Sequence, residues 1–230
     1  MQLIMTPELL VEAYSQGLFP MAYNGGSDYV HWVCPEDRGQ LPIAELHISK
    51  SLKKTVLKNI RNGPYSIKVD TAFEQVMREC AAVSDDRPET WINEPIIKAY
   101  CTLHQRGQAH SVEVWCEDTL VGGLYGVALG TAFFGESMFS RADNASKIAL
   151  VHLCARLWKA GYRILDTQFV NEHLLQFGAC EISHGAYIEN LRPALKETAD
   201  FTLSNFPALD EAALIKAYFE MRAERKKEFL

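Results

Sequence analysis

The sequence predicts an α+β fold, a mixed β-sheet with helices packed on it, and three features carry that prediction. Residues 109–116, 120–128 and 132–139 are strand-length runs separated only by the turn-sized pieces Glu117-Asp118 and Leu129-Gly130. A helical stretch from Asn144 to Ala160, closed by Gly161, then leads to another strand-like run at 163–170. Strand, strand, strand, helix, strand is the order of a mixed sheet with packed helices. The first half adds the third feature, apolar residues recurring at helical spacing.

Taken in order, Thr6-Pro7-Glu8 opens a short helix. It offers a hydroxyl cap, a proline at the first helical position and an acid near the positive helix end. Gly17-Leu18-Phe19-Pro20 stops it, and residues 23–43, rich in Gly, Pro and Asp, read as loop with short strand pieces. Residues 49–60 predict a basic amphipathic helix. Lys50, Lys53, Lys54, Lys58 and Arg61 fall on one side, while Leu52, Val56 and Ile60 recur every four residues on the other. A strand at 65–69 and a helix at 71–80 follow, then a polar loop at 84–89 leading to Trp91, which opens a helix over 94–105 ending at Gly107. After the last strand come short helices at 171–177 and 184–198. A charged terminal helix at 210–227 looks like an appendage.

Composition limits the partners. With 48% hydrophobic residues the 230-residue chain can build a sizeable core, and a net charge of −6 gives it no overall positive field. A nucleic acid would therefore need a local basic patch. No run of about 18 apolar residues predicts a membrane span, and residues 1–5 lack the pattern of a signal peptide. The six cysteines are scattered without a CxxC, which points to reduced thiols in a cytoplasmic protein. The closest histidines, His104 and His110, flank the break at Gly107, so no metal site is expected.

Two strands carry unusual residues. Strand alternation puts Asp166 and Gln168 on one face, roughly 6–7 Å apart, with Leu165, Thr167 and Phe169 opposite. Glu136 in the same way shares a face with Phe134 and Met138. Polar groups inside apolar strands are costly unless paired or solvated. They form either the wet face of an edge strand or the polar floor of a pocket with apolar walls. Trp91 is open to two roles, core anchor or base-stacking surface. The basic helix is either a solvated face or a phosphate-binding one.

Several strings resemble one family: Gly17-Leu18-Phe19-Pro20, Leu46-His47-Ile48-Ser49, Trp91-Ile92, residues 110–115 and 120–127, Phe134-Gly135-Glu136-Ser137-Met138-Phe139-Ser140, and Leu165-Asp166-Thr167-Gln168. In this order and spacing, over about residues 6 to 195, they resemble the leucyl/phenylalanyl-tRNA–protein transferases. The resemblance implies a cytoplasmic aminoacyltransferase without metal or organic cofactor. Such an enzyme moves Leu or Phe, and Met less well, from charged tRNA to proteins beginning with Arg or Lys, marking them for N-degron proteolysis. It implies a small N-terminal domain over residues 1–62, shortened relative to the family, a catalytic domain over 63–206 resembling the GCN5-type N-acetyltransferase fold, and residues 207–230 as a helical appendage.

It also implies roles. Asp166 and Gln168 form a relay that receives a proton from the attacking amine. Glu136, with Leu124, Phe134, Met138, Leu150 and Leu153, belongs to the aminoacyl pocket. Trp91 stacks on the terminal adenosine, and Met21 stands where many members carry a second adenine-stacking tryptophan. Leu124 stands where methionine is common. Lys50, Lys53, Lys54, Lys58 and Arg61 would meet tRNA phosphates.

The chemistry needs no nucleophilic triad. An aminoacyl ester is already activated, and a protein α-amine with a pKa of about 7.7–8 is partly neutral at cellular pH. Alignment of the two ends can supply on the order of 7–11 kcal/mol of the barrier. Gln168, polarised by Asp166, then only orients the amine and takes its proton late. A competing acyl-CoA-dependent N-acetyltransferase would need a Gln/Arg-x-x-Gly-x-Gly/Ala loop, and Gln176-Phe177-Gly178 has the wrong spacing for it. A non-catalytic RNA-binding module is the other alternative.

Overall fold

The computed structural model describes residues 5–23, 25–27, 29–83 and 89–228. Most of the loop expected at 84–89 therefore lies outside the described residues. In chain order the elements are α1 (Pro7–Ser15), β1 (Phe19–Ala22), β2 (Val30–Val33), β3 (Asp37–Gln40), α2 (Lys50–Asn62), β4 (Tyr65–Val69), α3 (Phe73–Ala81) and α4 (Glu94–Gln105). They continue with β5 (Ala109–Cys116), β6 (Thr119–Leu129), β7 (Ala132–Ser140), α5 (Ala145–Ala160), β8 (Ile164–Gln168), α6 (Glu172–Leu175), β9 (Cys180–Ser183), α7 (His184–Ala194) and α8 (Glu211–Glu228).

The helix ends follow local chemistry. Thr6 accepts the Leu9 N–H at 3.2 Å to cap α1, Ser49 accepts that of Leu52 at 3.1 Å to cap α2, and Asn93 accepts that of Ile96 at 2.9 Å to cap α4. Trp91 thus precedes the α4 cap and lies outside the helix. Gly161, at φ +82°, closes α5 in the left-handed region that a side chain resists. The bare N-terminus of α3 is served from a distance: the buried Glu113 carboxylate on β5 accepts the Thr71 and Ala72 N–H groups at 2.9 and 2.7 Å.

The main sheet runs β4-β5-β6-β7-β8-β3-β9, antiparallel except for the parallel pair β7–β8, which α5 connects. This is the expected mixed sheet. Two apolar layers cover it. Val112, Val114, Leu124, Phe133 and Leu165 pack with α2, α5 and α8, while their alternating neighbours Tyr125, Phe134 and Ile164 pack with α1, α3, α4 and α7.

Two placements differ from the local pattern. β3 lies in the segment expected as an N-terminal domain, yet it pairs with β8 on one side and with β9 on the other. Gly39 permits this, because a Cβ there would sit 2.8 Å from the Phe169 carbonyl carbon and from Thr167 Oγ1. The terminal helix α8, expected as an appendage, buries Leu214, Ile215, Tyr218 and Phe219. Tyr218 donates to the Ile43 carbonyl at 2.5 Å, and Arg222 donates to those of Ala44 (2.8 Å) and Leu46. α8 therefore fixes the loop that leads into α2.

Candidate active site

The parallel strands β7 and β8 pair at only three positions, ending at Phe134↔Asp166. Beyond that point both depart from regular geometry. Gly126 faces Gly135 while Tyr125 faces Ser137, so Glu136 is the extra residue of a β-bulge. Gln168 has φ +57°, and the Phe169 N–H bonds back to the Thr167 carbonyl at 2.7 Å. A non-glycine residue held there stores roughly 1–3 kcal/mol, a cost associated with functional sites. Between the diverging strands lies a cleft of about 340 Å³, within the range of roughly 300–1,000 Å³ common for small-molecule sites.

Apolar side chains from four directions line the cleft: Leu124 and Met138 from the sheet, Leu150 and Leu153 from α5, Phe19 and Met21 from β1, and Leu174 from α6. Trp91, Leu41, Leu165 and Phe169 complete the apolar wall. Polar groups come from Glu136, Ser137, Thr167, Gln168, Asn171 and His173. Tyr125 Oη, Thr167 Oγ1 and His173 Nε2 are buried without a hydrogen-bond partner among the described residues, so the cleft wall holds groups able to receive a ligand.

Glu136 is the electrostatic centre. Its Oε1 accepts from Tyr14 Oη at 2.7 Å and from Gln168 Nε2 at 2.9 Å, and its Oε2 accepts from Tyr100 Oη at 3.3 Å. The hydroxyls of Tyr14 and Tyr100 also bond to one another. Burial pushes the Glu136 carboxyl up to about 7; the Tyr14 hydrogen bond opposes this and the Asp166 carboxylate adds to it. Burial, reinforced by Glu136, holds both tyrosine hydroxyls protonated far above their usual range.

Asp166 sits behind this centre. It is fully buried and does not reach the cleft. Arg38 on β3, also fully buried, donates to it from Nε at 3.0 and 3.1 Å and from Nη2 at 2.7 Å. Tyr187 Oη donates at 2.5 Å and the Gln168 N–H at 2.7 Å. The guanidinium is sandwiched between the rings of Phe19 and Tyr187, at 4.8 and 4.7 Å, and donates to the Gly17 carbonyl at 2.6 Å. Burial works against the Arg38 charge, and Asp166 outweighs it and raises its pKa.

The structure thus brings Gln168, Glu136, Leu124, Met138, Leu150, Leu153, Trp91 and Met21 to one cleft. It corrects two positions. Strand alternation was expected to give Asp166 and Gln168 one shared polar face, but the positive φ of Gln168 turns its side chain to the cleft while Asp166 stays underneath. Phe134 was expected in the same pocket as Glu136 and Met138. The bulge resets the alternation, so Met138 shares the Leu124 face, while Phe134 stays fully buried in the opposite layer and outside the cleft, its ring 4.7 Å from that of Tyr14. Lys50, Lys53, Lys54, Lys58 and Arg61 are all exposed and line a separate groove along α2. Among the described residues no group of three His, Cys, Asp or Glu side chains could hold a metal ion, and no helix is long and apolar enough to cross a membrane.

Sequence reasoning missed Arg38, Tyr187, Tyr14 and Tyr100. Only the placing of Tyr14 four residues after Leu10, on the buried face of α1, hinted at one of them.

Comparison with known proteins identifies the family. The family model described as leucyl/phenylalanyl-tRNA protein transferase matches residues 40–192, and that of the family's N-terminal domain matches residues 5–36. A leucyl/phenylalanyl-tRNA–protein transferase of Paramagnetospirillum magneticum is 56% identical over 197 residues, covering 86% of this chain and 92% of the relative. Relatives of the same name from Caulobacter vibrioides (54% over 196 residues, 85% and 88% covered) and Hyphomonas neptunium (53% over 207 residues, 90% and 79% covered) are similar. The chain belongs to the leucyl/phenylalanyl-tRNA protein transferase family and is an aminoacyl-tRNA-using transferase.

Proposed function

We propose that this enzyme moves leucine or phenylalanine, and methionine less well, from charged tRNA to the N-terminal Arg or Lys of cytoplasmic proteins, marking them for N-degron proteolysis. The observation that carries the proposal is an apolar cleft with the Gln168–Glu136 pair on its wall. The walls of Leu124, Met138, Leu150 and Leu153 suit a large, flexible apolar side chain. Such walls separate side chains differing by one methylene by only about 1–3 kcal/mol, so overlapping use of Leu, Phe and Met is expected.

In this reading Met21 and Trp91 hold the terminal adenosine, and the aminoacyl group lies toward α5. The acceptor amine approaches Gln168. Because the Gln168 NH₂ is committed to Glu136, its carbonyl oxygen is the amide atom left to accept from the amine. The amine nitrogen attacks the ester carbonyl, the peptide bond forms, and the ribose oxygen leaves with a proton from the amine. Asp166 and Arg38 act as positioning residues, fixing the Gln168 backbone from behind. The basic groove of α2 meets phosphates elsewhere on the tRNA.

The test is transfer of labelled leucine from tRNA to an N-terminal-Arg peptide without metal or nucleotide. Acetyl transfer from acetyl-CoA in place of it would favour an N-acetyltransferase, and binding of tRNA without any transfer would favour an RNA-binding module.

A further inference from the structure

The two-stranded sheet β1–β2 has a directional face. Its register pairs Phe19 with Val33 and Met21 with His31, and it closes with the Tyr23 N–H on the Tyr29 carbonyl at 3.4 Å. Alternate residues share a face, so Phe19, Met21 and Tyr23 lie along one side of one strand, opposite Val33, His31 and Tyr29. Exposure rises steeply along this row: Phe19 is 3% exposed in the cleft, Met21 is half-buried at its rim, and Tyr23 and Tyr29 are 77% and 80% exposed. The Tyr23 ring lies 5.8 Å from that of His31.

The hairpin is tied to the segment that carries Trp91. The Ala22 N–H donates to the Trp91 carbonyl at 3.3 Å, and Asn93 Nδ2 donates to the Ser27 carbonyl at 2.6 Å while its Oδ1 caps α4. The tyrosines are therefore set in place relative to Met21 and Trp91.

We propose that Tyr23 and Tyr29 form a stacking surface for the unpaired nucleotides just 5′ of the donor's terminal adenosine. The inference rests on the proposed aminoacyl transfer. With the adenine held at Met21 and Trp91, the amino acid must point inward to Gln168, so the RNA chain leaves outward, along the hairpin. Every base offers a π-face, and the two neutral aromatic rings side by side at the outer end of the hairpin offer platforms for successive bases. The acceptor protein enters at the other end of the cleft, where its amine meets Gln168.

The experiment compares three donors of one labelled amino acid: aminoacyl-adenosine, an aminoacylated CCA trinucleotide and full-length aminoacyl-tRNA. The unaltered protein should show a lower KM for the trinucleotide than for aminoacyl-adenosine. In a Tyr23→Ala/Tyr29→Ala variant that advantage should shrink roughly tenfold, the scale of one lost stack. Tyr23→Phe/Tyr29→Phe should keep it, because the ring remains. An alanine variant with the unaltered advantage, or one whose KM rises equally for both small donors, would overturn the stacking surface. A variant that instead loses only peptide affinity would assign the tyrosines to the acceptor and likewise overturn it. No transfer from any of the three donors by the unaltered protein would sink the transferase reading itself, and this inference with it.

Discussion

Glu136 accepts a hydrogen bond from the side-chain amide of Gln168 at 2.9 Å, and that contact sets which amide atom faces the cleft. As a carboxylate, Glu136 demands the NH₂ group, so the Gln168 oxygen is left free for the amine of the proposed transfer. A protonated Glu136 no longer imposes this orientation. The groups facing it are Tyr14 from α1, Tyr100 from α4, Gln168 and Asp166 from β8, Arg38 from β3 and Tyr125 from β6. The tyrosines keep their protons across the working range, so Glu136 is the member that titrates near neutrality.

The first prediction is a pH signature. Transfer should rise as pH passes about 7, where Glu136 loses its proton, and Glu136→Gln should lose this limb while retaining the acceptor amine's own near about 8. Stability should follow the opposite course. The carboxyl titrates near 7 when folded against an ordinary 4.5. Between those values the folded state binds more protons, and stability falls as pH rises through the window. Denaturation of both proteins from pH 4.5 to 8 checks this, and a slope surviving in Glu136→Gln would refute the assignment.

Arg38→Ala should unfold the chain far more easily, by about 3–5 kcal/mol, because it leaves the Asp166 charge buried without its partner. Arg38→Lys keeps the charge but loses the fork and the stacking between Phe19 and Tyr187, and should fall between the two. Urea denaturation measures both effects. Equal stability of all three proteins would deny the ion pair any structural role.

Gln168→Ala should lower turnover, on the order of a hundredfold, far more than it lowers tRNA affinity. Asp166→Ala should lower turnover and stability together, since Asp166 reaches the chemistry only through the Gln168 backbone and Arg38. Single-turnover rates beside filter binding separate the two. Weakened tRNA binding at near-normal turnover would reverse the roles.

Reversing the charges of Lys53, Lys54 and Lys58 should weaken tRNA binding and reduce its salt slope by about one unit per lost phosphate contact. A titration at several salt concentrations reads both. An unchanged slope would leave the α2 groove as an ordinary solvated face.

Met21→Trp should tighten binding of an aminoacyl-adenosine by roughly a few-fold to tenfold, the difference between a flexible thioether and an aromatic wall. A fluorescence titration measures it directly. Unchanged affinity in a well-folded variant would remove Met21 from the adenosine site.

What the sequence made legible was local. The bounds of β4, β5 and α4 agree with those expected from period, caps and turn residues, and so does the polar–apolar mixture that marks the cleft. What stayed hidden depends on distant partners or on single-residue departures. Nothing near Arg38 announces that its partner lies 128 positions away. The four residues of β9 have no pattern of their own and are strand only because β3 is beside them. The bulge at Glu136 and the positive φ of Gln168 each shift a side chain by one place, which an ideal alternation cannot anticipate.

The insertion of β3 between β8 and β9 also has a consequence for how the molecule is made. Residues 37–40 are made well before their neighbours on both sides, which belong to residues 166–168 and 180–183. At about 5–20 residues per second, the wait is on the order of ten seconds. Closing so long a loop is entropically slow, and the β8-β3-β9 end of the sheet must await it. The cleft, whose Gln168 backbone rests on the Arg38–Asp166 anchor, is therefore completed only once β8 has been made and has met β3. A chain that has not yet passed residue 168 lacks both Gln168 and the Arg38–Asp166 anchor behind it, so the site is assembled from strands made far apart in time.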